Sequence, residues 1–303
     1  MGSRGGAHHS CALQPVGEAI LRRRSRGGLP DRGDPAYASR GLDGQPRAPR
    51  SGGEPRLSVE AGLDRRAGGG GRRVVKTLNS ELDRRIGGIP IPSLTLIEGP
   101  NGSGKSVILQ QIAWGALNAG LRVRYLTTEN TVKSLLSQME SLSFRVTPFF
   151  IKGGFKVMEL HVRSITWDEE VARKFLTTLL GFVRRDDWSQ VFIIDSLTYL
   201  LTRAREEDVL EFFSACRNIT DAVGKTFFIA IHPYALSQDM LIRVRSICDG
   251  HFMLGIKELG DKTVRVLEVA KLRGALKSTG VIVSFEVDPA FGIKVVPFSH
   301  AKA

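Results

Sequence analysis

One short glycine-rich segment holds the residues best suited to chemistry. Its spacing fits Gly-x-x-x-x-Gly-Lys-Ser/Thr, and its members are Gly99, Pro100, Asn101, Gly102, Ser103, Gly104, Lys105 and Ser106. Glycines let successive backbone N–H groups surround a phosphate, and the lysine neutralises the β- and γ-phosphates. The serine offers a hydroxyl to Mg²⁺, which takes oxygen ligands. The segment therefore predicts a site for ATP with Mg²⁺.

A carboxylate at the end of an apolar strand is the second part of the predicted site. Residues 191–194 are all apolar and Asp195 follows them, as expected for a buried central strand whose carboxyl end meets a ligand. We expect Asp195 to hold Mg²⁺ together with Ser106, through a metal-bound water. The next residue is Ser196, not a glutamate, so this strand does not supply a base for hydrolysis.

Two further polar residues end predicted strands. Glu129, in Thr-Thr-Glu-Asn at 127–130, is placed to orient an attacking water; the alternative is a solvent-facing acid at the start of a helix. His232 ends the strand 227–231 and precedes Pro233. It either senses the γ-phosphate or is an ordinary polar strand end.

Two basic residues near the C-terminal end of the chain are separated by one apolar residue. Lys271 and Arg273 lie in Val-Ala-Lys-Leu-Arg-Gly at 269–274, so on a strand both side chains share one face. One interpretation is a solvated strand face, which also protects a sheet edge by its charge. The other is a pair of fingers that reaches the phosphate of a neighbouring subunit.

An alternating framework must position these residues. From Val74 onward, apolar runs alternate with helical patterns, which is typical of strand–helix–strand units around a mainly parallel sheet. The glycine-rich segment lies between a predicted strand at 93–98 and a predicted helix from Lys105 to about Asn118. We predict an α/β fold with helices flanking the sheet and an antiparallel C-terminal extension, whose candidate strands are 251–257, 263–271, 280–287 and 293–297.

Two local predictions concern the middle of the chain. Residues 149–162 are expected to be extended, with a turn at Gly153 and Gly154. Thr166 and Glu169 fit a capping box. The amphipathic helix that follows has its apolar face at Val171, Phe175, Leu179 and Phe182.

Residues 1–73 differ from the rest of the chain. They contain 16 of the 33 glycines, 6 of the 13 prolines and Tyr37 as their one aromatic residue, so they cannot bury enough apolar surface to offset chain entropy. We predict a disordered tail before a single domain at 74–303. An excess of arginine with no lysine also fits a start site assigned too far upstream, in a GC-rich untranslated region. A basic arm for nucleic acid or anionic surfaces is the third interpretation.

The charge of the chain is concentrated in this tail. Its 14 arginines and 7 acidic residues give +7 of the total net charge of +12, so basicity does not indicate DNA binding by the domain. Cys11, Cys216 and Cys248 lack metal-ligand or disulfide spacing. An apolar stretch long enough for a membrane span or a signal peptide is not found, and the expected compartment is the cytoplasm.

Five segments occur in an order that resembles the KaiC branch of the RecA-like ATPases. They are GPNGSGKS, YLTTEN, VFIIDSLT, IAIHP and KLRGALKSTG. Longer stretches are similar to accessory ATP-binding proteins of the archaellum, the archaeal flagellum, within that branch. These stretches are RIGGIPIPSLTLIEGPNGSGKS, EEDVLEFFSACRNITD, IHPYALSQDMLIRVRSICDGHF and SFEVDPAFGIKVVPFS. The resemblance runs from about Val74 to Ala303.

This resemblance implies an ATP-binding regulator or assembly factor of the archaellum motor. It implies a motor ATPase and a membrane platform protein as partners, a location at the cytoplasmic face of the membrane through that complex, and a hexameric ring. It also implies slow or absent hydrolysis, because KaiC-type sites commonly carry two adjacent glutamates where here Asn130 follows Glu129.

Two other classes stay open. A DNA-dependent ATPase of the RecA and RadA type would need basic DNA-binding loops, but residues 234–239 contain no cation, so DNA binding is not expected. A KaiC-like autokinase would need an acceptor hydroxyl, for which Ser246 is the candidate. A buried or capping serine is the alternative interpretation of Ser246.

Overall fold

The protein is described by a computed structural model over residues 73–162, 166–259, 262–277 and 280–296. The predicted tail and its three interpretations fall outside these residues, apart from Arg73. The strands are β1 Arg73–Val75, β2 Ile89–Ile91, β3 Leu94–Glu98, β4 Val123–Thr127, β5 Phe155–Glu159, β6 Val191–Asp195, β7 Thr226–Ile231, β8 Gly250–Leu259, β9 Lys262–Leu272, β10 Val281–Asp288 and β11 Gly292–Val296. The helices are α1 Ser80–Ile86, α2 Lys105–Asn118, α3 Val132–Ser141, α4 Thr147–Ile151, α5 Glu169–Arg185, α6 Thr198–Leu201, α7 Glu206–Val223 and α8 Gln238–Ile247.

Nine strands form one sheet in the order β11-β10-β9-β8-β3-β7-β6-β4-β5. The six strands from β8 to β5 are parallel, and β9, β10 and β11 extend them in antiparallel fashion. The predicted mainly parallel sheet and its antiparallel extension are both present. β1 and β2 pair separately as a two-stranded antiparallel sheet.

Helices cover both faces of the central sheet, because its strands are apolar on both sides. Along β6, Val191 and Ile193 belong to one buried cluster, which also contains the apolar residues of α2. Phe192 and Ile194 face the other cluster, formed with α5, α7 and α8. The candidate residues at the ends of β3, β4, β6 and β7 consequently share the carboxyl edge of a rigid sheet.

Two local predictions were wrong. Residues 149–151 are not extended but belong to the short helix α4, which has Pro148 at its start; the predicted turn at Gly153 and Gly154 is present, and the strand begins after it, at Phe155. The capping box does not form, because the cap of α5 is Asp168, whose carboxylate accepts the N–H of Val171 at 2.8 Å.

The buried face of α5 is also rotated from the predicted one. Its buried residues are Ala172, Leu176, Leu179, Leu180 and Val183. Phe175 and Phe182 pack at the margin of the core, and Phe175 contacts Trp167 with ring centroids 5.4 Å apart. Bulky aromatic rings reach the core from the side of a helix, so they misplace the predicted centre of its apolar face. Among the described residues, the helices are all too short or too polar to cross a bilayer.

Candidate nucleotide site

The glycine-rich segment forms a loop that joins β3 to α2. Gly102 and Gly104 have φ values of 72° and 93°, which side chains disfavour. The first turn of α2 has neither a side-chain cap nor an acidic residue, so its free N–H groups and positive dipole end face the loop. This arrangement fits an anionic group such as a phosphate.

Lys105 points back along the loop. Its ammonium donates to the carbonyl oxygens of Gly99 and Pro100, both at 2.8 Å, and the residue is buried. Burial lowers the pKa of Lys105, while the negative charges of Asp195 and Glu129 oppose that shift. A buried ammonium that contacts, among the described residues, two backbone carbonyls is suited to exchanging these contacts for phosphate oxygens.

Ser106 and Asp195 are in direct contact, although 89 residues separate them. The Ser106 hydroxyl donates to Asp195 Oδ1 at 3.1 Å, and the carboxylate is 3% exposed. Burial raises the pKa of Asp195 to about 6, against the hydrogen bonds from Tyr125 and Ser106. A hydroxyl and a carboxylate are the oxygen donors that Mg²⁺ uses beside phosphate and water, so the pair fits this ion.

Glu129 lies beside this pair on an exposed loop after β4. Its charge acts on Lys105 and on Asp195, and the N–H of the preceding residue, Thr128, donates to the Asp195 carbonyl at 3.0 Å, so this loop lies beside the site. The loop is fixed at its far end, because Glu159 Oε1 accepts the N–H of Val132 at 2.6 Å. Glu129 is solvent-accessible and next to the site. This position is compatible both with a residue that orients the attacking water and with a solvent-facing acid before a helix.

His232 is buried at the end of β7, at 5% exposure. Its backbone N–H donates to Thr198 Oγ1 at 3.0 Å, whereas ring Nδ1 has no hydrogen-bond partner among the described residues. Burial, and then the charge of Lys105, lower the pKa of His232. A neutral imidazole with an unpartnered nitrogen near Lys105 is suited to contacting a ligand there.

Lys271 and Arg273 lie away from the phosphate loop of their own chain. Lys271 is the next-to-last residue of β9, and it donates to the carbonyls of Arg245 and Ser246 at 2.9 and 3.1 Å, at the C-terminal end of α8. Arg273 follows the strand; its side chain is 53% exposed and lies 3.9 Å from Asp249. Among the described residues, Lys271 is held by backbone carbonyls, whereas the side chain of Arg273 has no such contact.

Two residues that were not predicted as site residues also contact the site. Tyr125, in β4, donates its hydroxyl to Asp195 Oδ2 at 2.7 Å; a tyrosine inside an apolar strand is a signal, since its hydroxyl needs a partner. Arg265, in β9, donates to the Gly102 carbonyl at 2.9 Å. A Cβ at Gly104 would lie 3.2 Å from Arg265 Cδ and 3.0 Å from Phe285. The contact between Arg265 and Gly102 could not be predicted from the sequence, because it depends on how the C-terminal strands pack against the loop.

Behind the loop, Glu98 was also missed. Its buried carboxylate accepts from Arg245 Nε at 2.9 Å and contacts His251 Nε2 at 3.0 Å. These partners lower the pKa of Glu98 despite its burial, so they fix the last residue of β3. Ser246 is exposed and donates to the Arg243 carbonyl at 2.6 Å, within the last turn of α8.

Comparison with known proteins gives a consistent result. The family model for the KaiC ATPase matches residues 75–300. The archaeal flagellar ATP-binding protein FlaH of Sulfolobus acidocaldarius is 35% identical over 230 residues, covering 76% of this chain and 100% of that protein. The protein of that name from Methanocaldococcus jannaschii is 28% identical over 220 residues, covering 71% and 91%.

A solved structure supports the same assignment. The crystal structure of the flagellar accessory protein FlaH from M. jannaschii superposes with a TM-score of 0.64 at 25% identity, covering 74% of this chain and 98% of that one. The predicted KaiC-like α/β fold is confirmed, and an ATPase domain of this type implies nucleotide binding. The chain therefore belongs to the KaiC-like ATPases and, within them, to the family of archaeal flagellar FlaH proteins.

Proposed function

We propose that this protein is an ATP-binding component of the archaellum whose nucleotide state regulates assembly or switching of the motor. The observation that carries the proposal is the convergence of Lys105, Ser106 and Asp195 at the uncapped start of α2. The relatives named archaeal flagellar ATP-binding proteins support the cellular context.

Each residue has a distinct role in this proposal. The N–H groups of the loop and of α2 bind the phosphate oxygens, and Lys105 neutralises the β- and γ-phosphates. Ser106 and Asp195 would hold Mg²⁺, which would neutralise charge shared between those phosphates. Burial of Asp195 strengthens its interactions with a bound cation.

We further propose that turnover is slow or absent. Glu129 is the one candidate base that the sequence offers, and it is exposed beside Asn130, where KaiC-type sites commonly carry a second glutamate. Ser196 after Asp195 offers no alternative carboxylate. His232 acts as the sensor of the γ-phosphate, a role supported by its unpartnered Nδ1.

The ring implied by the family resemblance suits the position of the late cations. Arg265 contacts the loop, and Lys271 lies six residues further along β9, about 20 Å away at about 3.3 Å per residue. A cation at that end of the strand can contact the phosphate bound by a neighbouring subunit but not the phosphate bound by its own chain. In a closed head-to-tail ring, every nucleotide site would receive such a cation from the adjacent subunit. Arg273 is the better candidate, because Lys271 already holds the end of α8.

The proposed partners are the archaellum motor ATPase and the membrane platform protein. The location would be the cytoplasmic face of the membrane, reached through that complex. A partner that binds the ATP form more tightly than the ADP form would couple nucleotide state to motor assembly.

Calorimetric titration of the full chain with ATP and Mg²⁺ tests the proposal. Charge-assisted hydrogen bonds contribute about 1.5–3 kcal/mol each, so Lys105→Ala should lower ATP affinity at least about 100-fold. The control is Lys174→Ala, at a lysine whose side chain is 67% exposed on α5. Near-wild-type affinity of a folded Lys105→Ala protein would contradict the proposed site.

A further inference from the structure

Tyr125 is a fully buried tyrosine whose hydroxyl contacts the Mg²⁺-site carboxylate. It lies in β4, beside β6, at 0% exposure. Its ring packs edge-on against Phe155, with centroids 6.4 Å apart, which fixes the ring plane. The hydroxyl lies 2.7 Å from Asp195 Oδ2.

The two oxygens of Asp195 consequently have different partners. Oδ2 accepts from Tyr125, and Oδ1 accepts from Ser106 at 3.1 Å. A carboxylate bonded at only one oxygen could rotate about its Cβ–Cγ bond. With Oδ2 held by a rigid phenol, Oδ1 stays directed toward Ser106, where the ion is expected.

We infer that Tyr125 is a positioning residue that sets the affinity of this protein for Mg²⁺, by holding Asp195 with Oδ1 toward the ion. The inference rests on the proposed Mg²⁺–ATP site. Tyr125 is bonded to Oδ2, the oxygen that does not contact Ser106, and among the described residues it has no hydrogen bond to residues 99–106. We therefore expect it to act on the metal and not directly on the nucleotide. Partners of this kind typically change metal affinity about 10-fold to 100-fold when removed.

Tyr125→Phe removes one oxygen and keeps the buried ring. ATP affinity is measured by calorimetry on the full chain, first in EDTA and then over a series of Mg²⁺ concentrations. We expect ATP affinity in EDTA to stay within about twofold of the wild type. The Mg²⁺ concentration that gives half of the Mg²⁺-dependent gain should rise about 10-fold to 100-fold.

Two controls separate positioning from a general effect on the fold. Tyr199→Phe removes a phenol oxygen from a partly exposed tyrosine and should leave both measurements unchanged. In an Asp195→Asn background, Tyr125→Phe should have no further effect on the Mg²⁺ dependence, since it acts only through that carboxylate.

Three outcomes would overturn the inference. The first is an unchanged Mg²⁺ dependence in Tyr125→Phe. The second is an equal loss of ATP affinity with and without Mg²⁺, which a packing defect would produce. The third is an effect of Tyr125→Phe that persists in full in the Asp195→Asn background. Failure of the proposed function looks different, because the wild type itself would then show no Mg²⁺-dependent ATP binding.

Discussion

Asp195→Asn tests the electrostatics of the site in the ligand-free protein. Burial raises the pKa of Asp195 from 3.8 to about 6, so the folded state holds the proton more tightly than the unfolded state. The free energy of unfolding therefore falls as the pH rises from 3.8, the pKa in the unfolded state, through about 6, the pKa in the folded state. A rise of about 2 in pKa corresponds to about 3 kcal/mol of folding free energy at pH 7.

Asparagine keeps the shape of this side chain and both hydrogen bonds. Its amide oxygen can accept from Tyr125 and its amide N–H can donate to Ser106. We expect Asp195→Asn to be more stable than the wild type by up to about 3 kcal/mol at pH 7 and by much less at pH 4, where the wild-type carboxyl is largely protonated in the folded state. The same variant should need a higher Mg²⁺ concentration to reach half of the Mg²⁺-dependent gain in ATP affinity.

Urea unfolding followed by circular dichroism, in EDTA and without nucleotide, measures this difference between pH 4 and 7.5. Asp187→Asn, at an exposed acid outside the site, is the matched control and should show no such pH-dependent gain. Two results would refute the reasoning. One is an Asp195→Asn protein less stable than the wild type at pH 7; the other is a stability difference that does not change with pH.

Two further predictions concern assembly and turnover. Arg273→Ala should leave the ATP affinity of the monomer unchanged but weaken ATP-dependent association about tenfold or more per interface, because each lost charge-assisted hydrogen bond contributes about 1.5–3 kcal/mol. Light scattering measures this association. If the variant forms ATP-dependent rings as readily as the wild type, Arg273 is only a solvent-exposed residue at the end of a strand. Turnover of the wild type should lie well below the roughly 10 s⁻¹ median of enzymes, and Glu129→Gln should lower it further without weakening ATP binding. A phosphate-release assay that shows an unchanged rate would assign the base elsewhere.

Short-range patterns in the sequence were sufficient to predict the α/β framework, the glycine-rich loop and the strand that ends at Asp195. The loop from Gly99 to Ser106 is a local motif whose glycines and lysine act within one turn of chain, and its helix was predicted with correct bounds. The apolar run before Asp195 predicted a buried strand, since burial on both faces leaves no polar alternation. The buried face of α5 was predicted incorrectly, because aromatic side chains reach the core from the margin of this helix.

Only the tertiary structure decided which distant groups touch. Tyr125 and Asp195 lie 70 residues apart in sequence, and Arg265 and Gly102 lie 163 apart; their contacts depend on strand order, which no local pattern encodes. The register of β9 against β8 likewise decided that Lys271 holds the end of α8, whereas Arg273 stays exposed. Sequence periodicity fixes which residues share a face of a strand, but the register and the neighbouring element determine what that face meets.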